Sequence, residues 1–329
     1  MTSKERIYAT VNGTPRDRVA VTPIFMAWAA RYIGRSYRDY YLDGDVLVAA
    51  QLAVTRDFGI DQISAISDPW RESSAYGMRF DYPPDGVGKP RDILIKRPAD
   101  TSKISRIEIE KAERTSQRIE SVRRMAAEVG QTHSVLGWIE GPLAQYADLR
   151  GVENALLDLV DRPDMFDGAA STIVDNAIAF ARAQAEAGAD MIGVGDAAAS
   201  LIGPALYKAL VLCHQKRLFA AIHETGAAVK LHICGNIASI IADMAESGAD
   251  VIDVDWMVPL KTARRLAGPD VTLCGNFDPS AVLMQGTPEK VVAAAERCVE
   301  QGGDRFILMP GCEVPPATPE ENIRAFCPP

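Results

Sequence analysis

Short β-branched runs that stop at Gly, Pro, Asp or Asn recur along the chain. From the third onward they alternate with Ala-rich stretches of helical period. Eight runs read as strands: 19–25, 63–67, 133–140, 191–196, 229–235, 251–256, 271–277 and 306–311. Clear helical stretches between them are 169–188, 206–225, 237–247 and 288–301. Three of these close on similar small-residue stops, around Gly188, Gly248 and Gly303, each followed shortly by a new strand. Strands alternating with helices imply a parallel sheet, and eight of them favour a closed (β/α)8 TIM barrel over an open doubly wound sheet. No Gly-x-Gly-x-x-Gly follows the first strand, and no Walker A loop or Gly-x-Ser-x-Gly elbow occurs.

Residues 1–329 fit one such barrel domain with two decorations. Residues 1–18 form an N-terminal extension, expected as a helix outside the barrel or across its floor. Residues 78–97, around a Pro/Gly-rich turn, read as a β-hairpin insertion. The charged stretch 106–130 reads as a solvated outer helix.

Composition narrows the class. A net charge of −9 lacks the basic face of a nucleic-acid binder. No apolar run approaches the roughly 18 residues of a membrane helix, and the first residues lack a secretory core, so a cytoplasmic protein is expected. A homo-oligomer is compatible with the sequence. Six cysteines are too sparse for a disulfide scaffold, which leaves packing, nucleophile or metal ligand.

The sharpest chemical feature is Leu231-His232-Ile233-Cys234-Gly235 at the end of the fifth run. Residues i and i+2 of a strand share a face, so His232 and Cys234 project together. Cys312 follows the last run, in Pro310-Gly311-Cys312-Glu313. Three donors from two strand ends, with one position left over, have the count of a catalytic zinc site; paired sulfurs favour zinc over magnesium or calcium. The competing reading makes His232 a hydrogen-bonded core histidine and both cysteines buried apolar residues. Their place at two strand ends favours metal. Cys213, Cys274, Cys298 and Cys327 are expected to be packing or incidental, as are His214 and His223; His133 begins its strand at the wrong end for catalysis. Glu140, Asp196, Asp253 and Asp255 sit at strand ends, with Asp68 beyond the second strand. Each is a candidate fourth ligand, partner to His232 or general acid, against the alternative of binding loop amides.

Stretches 19–25, 68–77, 140–142, 231–236, 274–279 and 310–316 resemble the uroporphyrinogen decarboxylase superfamily across essentially the whole chain. The resemblance implies a (β/α)8 barrel and leaves a choice between decarboxylases and corrinoid-linked methyltransferases. Decarboxylases share a Met-Arg-Gln-Ala-Gly-Arg-Tyr segment that binds a many-carboxylate substrate. Here 26–32 keeps Arg31, but Ala27 replaces the first arginine and Ala30 the glycine. The missing charge-assisted contact is worth about 1.5–3 kcal/mol. The methyltransferase branch carries His-x-Cys and a distant Cys as zinc ligands, matching His232, Cys234 and Cys312, whereas decarboxylases are metal-free. The resemblance therefore implies Zn2+, a corrinoid (cobalamin) carried by a partner protein, and a small methyl donor or acceptor, either methyl ether or thiol. Glu140, Asp196 or Asp255 would orient substrate or complete the metal shell. Phe25, Trp28, Tyr76 and Trp256 would wall an aromatic methyl ether or simply pack. The alternatives are a metal-free decarboxylase using Arg31 and Asp68, and a non-catalytic barrel that binds corrinoid protein or tetrapyrrole.

Overall fold

Parallel strands covered by helices are buried on both faces, so they read as near-continuous apolar runs, and the computed structural model, which describes residues 1–328, bears this out. Ten strands occur: β1 (Ala20–Val21), β2 (Gln62–Ser64), β3 (Phe80–Asp81), β4 (Lys89–Pro90), β5 (Ser134–Glu140), β6 (Met191–Gly195), β7 (Ala228–Ile233), β8 (Val251–Val254), β9 (Thr272–Phe277) and β10 (Phe306–Pro310). Eight of them form one parallel sheet in the order β1-β10-β9-β8-β7-β6-β5-β2. With helices around it, this is a (β/α)8 barrel.

The first two strands are shorter than their apolar runs. After Val21 the pairing passes through Thr22 N–H to Leu308 O, and Pro23 then has no N–H to continue it. Past Ser64 the Ser64 hydroxyl accepts the Ile66 N–H and the chain leaves the ladder. The seam between β1 and β2 is held by one residue. Asp61 donates its N–H to Val21 O at 2.9 Å, while its carboxylate accepts the Val21 N–H at 2.8 Å. Arg6 at 2.6 Å and Arg18 at 2.7 Å neutralise that fully buried carboxylate. Both arginines come from the N-terminal extension, which thereby ties the barrel shut.

The extension's helix, Ser3–Asn12, begins with a Thr2/Glu5 capping box and lies across the floor. Its Lys4 bonds Thr132 O and pairs with Asp190, residues that precede β5 and β6. Its Ile7 plugs the interior beside Trp138 and Met191. The hairpin insertion is present as the antiparallel pair β3–β4. The charged stretch departs from expectation. Its helix is Glu113–Val129, and instead of a solvated element it buries Arg114, Thr115, Arg118 and Ser121 along with Ile119, Val122 and Met125. The two arginines are drawn inward by acceptors at the barrel mouth, described below. Among the described residues, no helix is long and apolar enough to cross a membrane.

Trp138 fills the barrel interior only because β6 opposes it with glycines. A Cβ on Gly193 would stand 2.1 Å from Trp138 Cε3. Gly193→Ala is therefore expected to overpack the interior and cost about 1–3 kcal/mol, read as a lowered Tm in thermal unfolding.

Candidate functional site

The ladder lines up a single row of residues at the carboxyl ends of adjacent strands. Glu140 pairs with Gly195, Gly195 with His232, His232 with Asp253, and Asp253 with Cys274. Register partners in a parallel sheet point to the same side, and Cys274 belongs to the interior cluster, so the row faces inward.

His232 Nε2 lies 2.9 Å from Cys234 Sγ and 4.0 Å from Cys312 Sγ. All three donor atoms are within 4.8 Å of one another. Tetrahedral zinc with ordinary Zn–N and Zn–S lengths separates its ligand atoms by about 3.5–3.8 Å, so the three donors fit such an ion with minor adjustment. The other imidazole nitrogen, Nδ1, faces Asp253 Oδ2 at 3.4 Å, and Lys230 Nζ lies 3.4 Å from the same oxygen. A carboxylate behind the free nitrogen of a ligating histidine fixes tautomer and ring orientation. Two glycines let the loops converge. Gly235, at φ +91°, turns the chain directly after Cys234, and its N–H donates to Asp255 Oδ2 at 2.9 Å. Gly311 lets the Cys312 loop pass so close to Trp256 that a Cβ would meet its backbone nitrogen at 2.3 Å.

The electrostatics suit a cation. The hydrogen bond from Cys234 pulls the Cys312 thiol down to about 5, against burial, and raises Cys234 in return. Burial disfavours charge on His232, but the Cys234 and Asp253 charges lift it well above the ordinary imidazole range. A thiolate beside a charged imidazole is the arrangement a metal replaces, releasing protons as it binds.

The candidate carboxylates divide into separate roles. Asp196 Oδ1 accepts the Ala144 N–H at 2.7 Å, bracing the start of helix Pro142–Arg150, and its Oδ2 accepts the Gln215 amide of helix Leu212–His223 at 2.8 Å. Asp255 spends its oxygens on the Gly235 and Met257 amides. Asp253, and not Asp255, is the residue behind His232. Glu140 is clamped by two neighbours on one turn of helix Trp70–Ala75. Arg71 Nη2 donates to its Oε1 at 2.9 Å, and Glu72 Oε1 accepts its backbone N–H at 2.9 Å. Burial pushes the Glu140 carboxyl up to about 8 despite Arg71.

Asp68 is 2% exposed and belongs to a buried charge cluster. Arg114 Nη2 reaches its Oδ1 at 2.5 Å, Arg71 donates to its carbonyl, and Arg118 Nη2 donates to the Ser67 hydroxyl at 2.9 Å. Burial alone would raise the Asp68 pKa; the guanidiniums of Arg114 and Arg71 outweigh it and hold the carboxyl below the usual carboxylate range. These three arginines were not singled out from sequence. A signal existed, since Arg114 and Arg118 are one helical turn apart on the same face as Val122 and Met125. The aromatic residues do not form a common wall. Phe25 and Trp28 stack at 5.0 Å in a buried cluster, the Tyr76 hydroxyl is bound by Asn176, and Trp256 is exposed. Arg31 is exposed and lines a cleft of about 550 Å³ with Ala27, Tyr37 and Glu313, the residue after Cys312.

The sequence profile of uroporphyrinogen decarboxylase (URO-D) matches residues 2–328. The chain belongs to the URO-D family. Within that family it is 25% identical over 350 residues to methylcobamide:CoM methyltransferase MtaA of Methanosarcina barkeri, covering 99% of this chain and 96% of the relative. Methylcobamide:CoM methyltransferase MtbA of Methanosarcina mazei is 28% identical over 332 residues, covering 98% and 96%. A uroporphyrinogen decarboxylase of Nocardia farcinica is 30% identical over 327 residues, covering 94% and 88%. Among solved structures, a methyltransferase from Methanosarcina mazei superposes with a TM-score of 0.91 at 23% identity, over 99% of this chain and 97% of that one. That likeness establishes the shared fold.

Two outcomes follow for this URO-D family member. Asp68→Asn strands Arg114 without its counter-charge and is expected to cost about 3–5 kcal/mol in denaturant unfolding. Because the folded-state pKa of Asp68 is lowered, its contribution is complete above about pH 4 and is lost as pH falls through the lowered value; the variant loses that segment of the acid-unfolding curve. Asp253→Asn is expected to weaken zinc binding about 10–100-fold in chelator competition, with the fold retained by circular dichroism.

Proposed function

We propose that the chain is a zinc-dependent methyltransferase that moves a methyl group between a corrinoid protein and a small substrate. The observation that carries the reading is the convergence of His232 Nε2 with the Cys234 and Cys312 sulfurs within 4.8 Å. Three protein donors leave a fourth position for substrate, which distinguishes a catalytic from a structural zinc site. The relatives named as methylcobamide:CoM methyltransferases, which cover nearly the whole chain, support the corrinoid assignment. The corrinoid is read as the cargo of a partner protein presented at the barrel mouth.

Bound zinc supplies Lewis acidity toward a substrate heteroatom. The chain's own residues hold the geometry. Asp253 keeps the imidazole turned so that Nε2 faces the sulfurs, and Lys230 offsets the charge of Asp253. Asp255 fastens the turn that carries Cys234, and Asp196 braces the helix beside the mouth. In this reading both act on the frame, and Glu140 is the carboxylate that meets substrate. The metal-free decarboxylase reading is weaker, because the Asp68 carboxylate is buried against Arg114 and has nothing to offer a ligand.

Purified wild type is expected to hold about one zinc per chain by elemental analysis. Cys234→Ala and Cys312→Ala are expected to lose it without unfolding. A zinc-free protein with full activity would overturn the proposal.

A further inference from the structure

A second group of metal-type donors lies on the outer wall of the barrel. The Cys213 sulfur, a His214 ring nitrogen and an Asp167 carboxylate oxygen all lie within 4.8 Å of one another. Asp167 belongs to helix Pro163–Glu186, which precedes β6, and the other two to helix Leu212–His223, which precedes β7. Barrel helices run opposite to the strands they cover, so the starts of both helices, where these residues stand, are at the mouth end of the wall.

Two features aim the donors at one point. The imidazole is nearly inaccessible to water and meets the Phe166 ring edge-on at 6.0 Å, while its Nε2 faces out to Asp167 Oδ1 at 2.9 Å. Directly before Cys213 the helix is wound wider. The Leu212 N–H reaches back five residues to Tyr207 O, over the π-helical turn Tyr207–Val211. One extra residue in a turn rotates all that follows by about 100°, and such turns recur at functional sites. In the resulting register Gln215 reaches Asp196, while Cys213 and His214 converge on Asp167. The neighbouring cation is held away from them. Arg217, one turn further on, is committed to Ser171 and Asp175 and leaves Asp167 to His214.

We propose that Asp167, Cys213 and His214 form a second divalent-metal site, of the zinc class, that clips these two helices together. A sulfur beside nitrogen and oxygen donors selects zinc or cobalt over magnesium or calcium, and a thiolate with a carboxylate balances the charge of such an ion. Ordinary Zn–N and Zn–O lengths put those two ligand atoms about 3.4 Å apart. Asp167, whose side chain is 65% exposed, is free to withdraw by the difference from 2.9 Å. Cys213, also exposed, gives up its thiol proton to solvent as the metal binds. Water completes the shell. Because two of the three donors face solvent, the site is weaker than the mouth and fills only with metal supplied beyond the first equivalent. The clip is one residue from Gln215, whose amide donates to Asp196 at 2.8 Å, so a bound ion stiffens the strut between outer wall and mouth. This assignment does not depend on the methyltransferase reading.

The test titrates Co2+ into wild type already holding about one zinc per chain, under reducing conditions, beside Cys213→Ser and Asp167→Asn. Wild type is expected to take up about one further ion with a thiolate-to-cobalt absorption band in the near ultraviolet. Cys213→Ser is expected to lack that band, and Asp167→Asn to weaken binding by about tenfold or more. Excess Zn2+ is expected to bleach the band and to raise the Tm of wild type more than that of Cys213→Ser. Both substitutions fall at exposed positions, and unchanged circular dichroism is the check that they leave the fold intact. A band of equal strength in Cys213→Ser would report exchange into the mouth and overturn the site. Uptake without any band would overturn it too, as binding to exposed carboxylates only. A mouth that holds no zinc leaves the result intact, because the readout is the difference between wild type and Cys213→Ser.

Discussion

The register of one parallel ladder sets every distance that matters at the mouth of this barrel. Because Glu140, Gly195, His232, Asp253 and Cys274 occupy one row, their inward directions are fixed by backbone hydrogen bonds rather than by side-chain choice. A slip of one residue in any strand would turn its member of the row outward. The row then orders the groups across the mouth: a buried carboxyl, a glycine, an imidazole, and the carboxylate behind it. Cys312 reaches the imidazole from β10 on the far side, through the close passage at Gly311. Asp253 shares that row with His232, and Lys230 lies one inward row deeper, so both meet the candidate metal centre from inside the barrel.

The second constraint is the cost of burying charge. Arg71, Arg114 and Arg118 are all nearly inaccessible to water, as are Asp68 and Glu72. Such groups are tolerable only when paired, so each one restricts the others. Asp68 is held ionised and is thereby withdrawn from ligand binding. Glu140, which shares its guanidinium with neighbours, is less fully compensated, and burial raises its pKa. One cluster therefore shifts the pKa values of two carboxyl groups in opposite directions. The same logic closes the barrel: the buried Asp61 carboxylate is stable only because Arg6 and Arg18 of the N-terminal extension meet it, which binds floor and seam together.

The alternation of strand and helix and the three candidate metal donors were legible from local pattern. The strand positions agree with the apolar runs apart from β1 and β2, where Pro23 and the Ser64 turn end pairing early. His232 and Cys234 share a face through the two-residue period of a strand, a property of the chain itself. The carboxylates were not separable in this way. Asp253 and Asp255 look alike in Val-Ile-Asp-Val-Asp-Trp, yet one lies on the ladder row behind His232 and the other just beyond it, on a turn. The charged helix misled for a related reason. Its arginines mark a solvated face on average, but Arg114 and Arg118 sit among its apolar positions and find acceptors on the far side of the helix.

What the sequence determined by itself was local and periodic: eight strands, their helical crossovers, and three soft donors at two strand ends. These follow from side-chain period, glycine stops and ligand chemistry, none of which needs a third dimension. Only the tertiary structure decided which donor faces which. It brought Cys312 to within reach of His232 across 80 residues of chain, chose Asp253 over Asp255 as the imidazole's partner, and tied Asp68 to Arg114. The reason is physical. Protonation states and hydrogen-bond partners depend on the local dielectric and on charges within a few ångströms, and those neighbours come from strands and helices far apart in sequence.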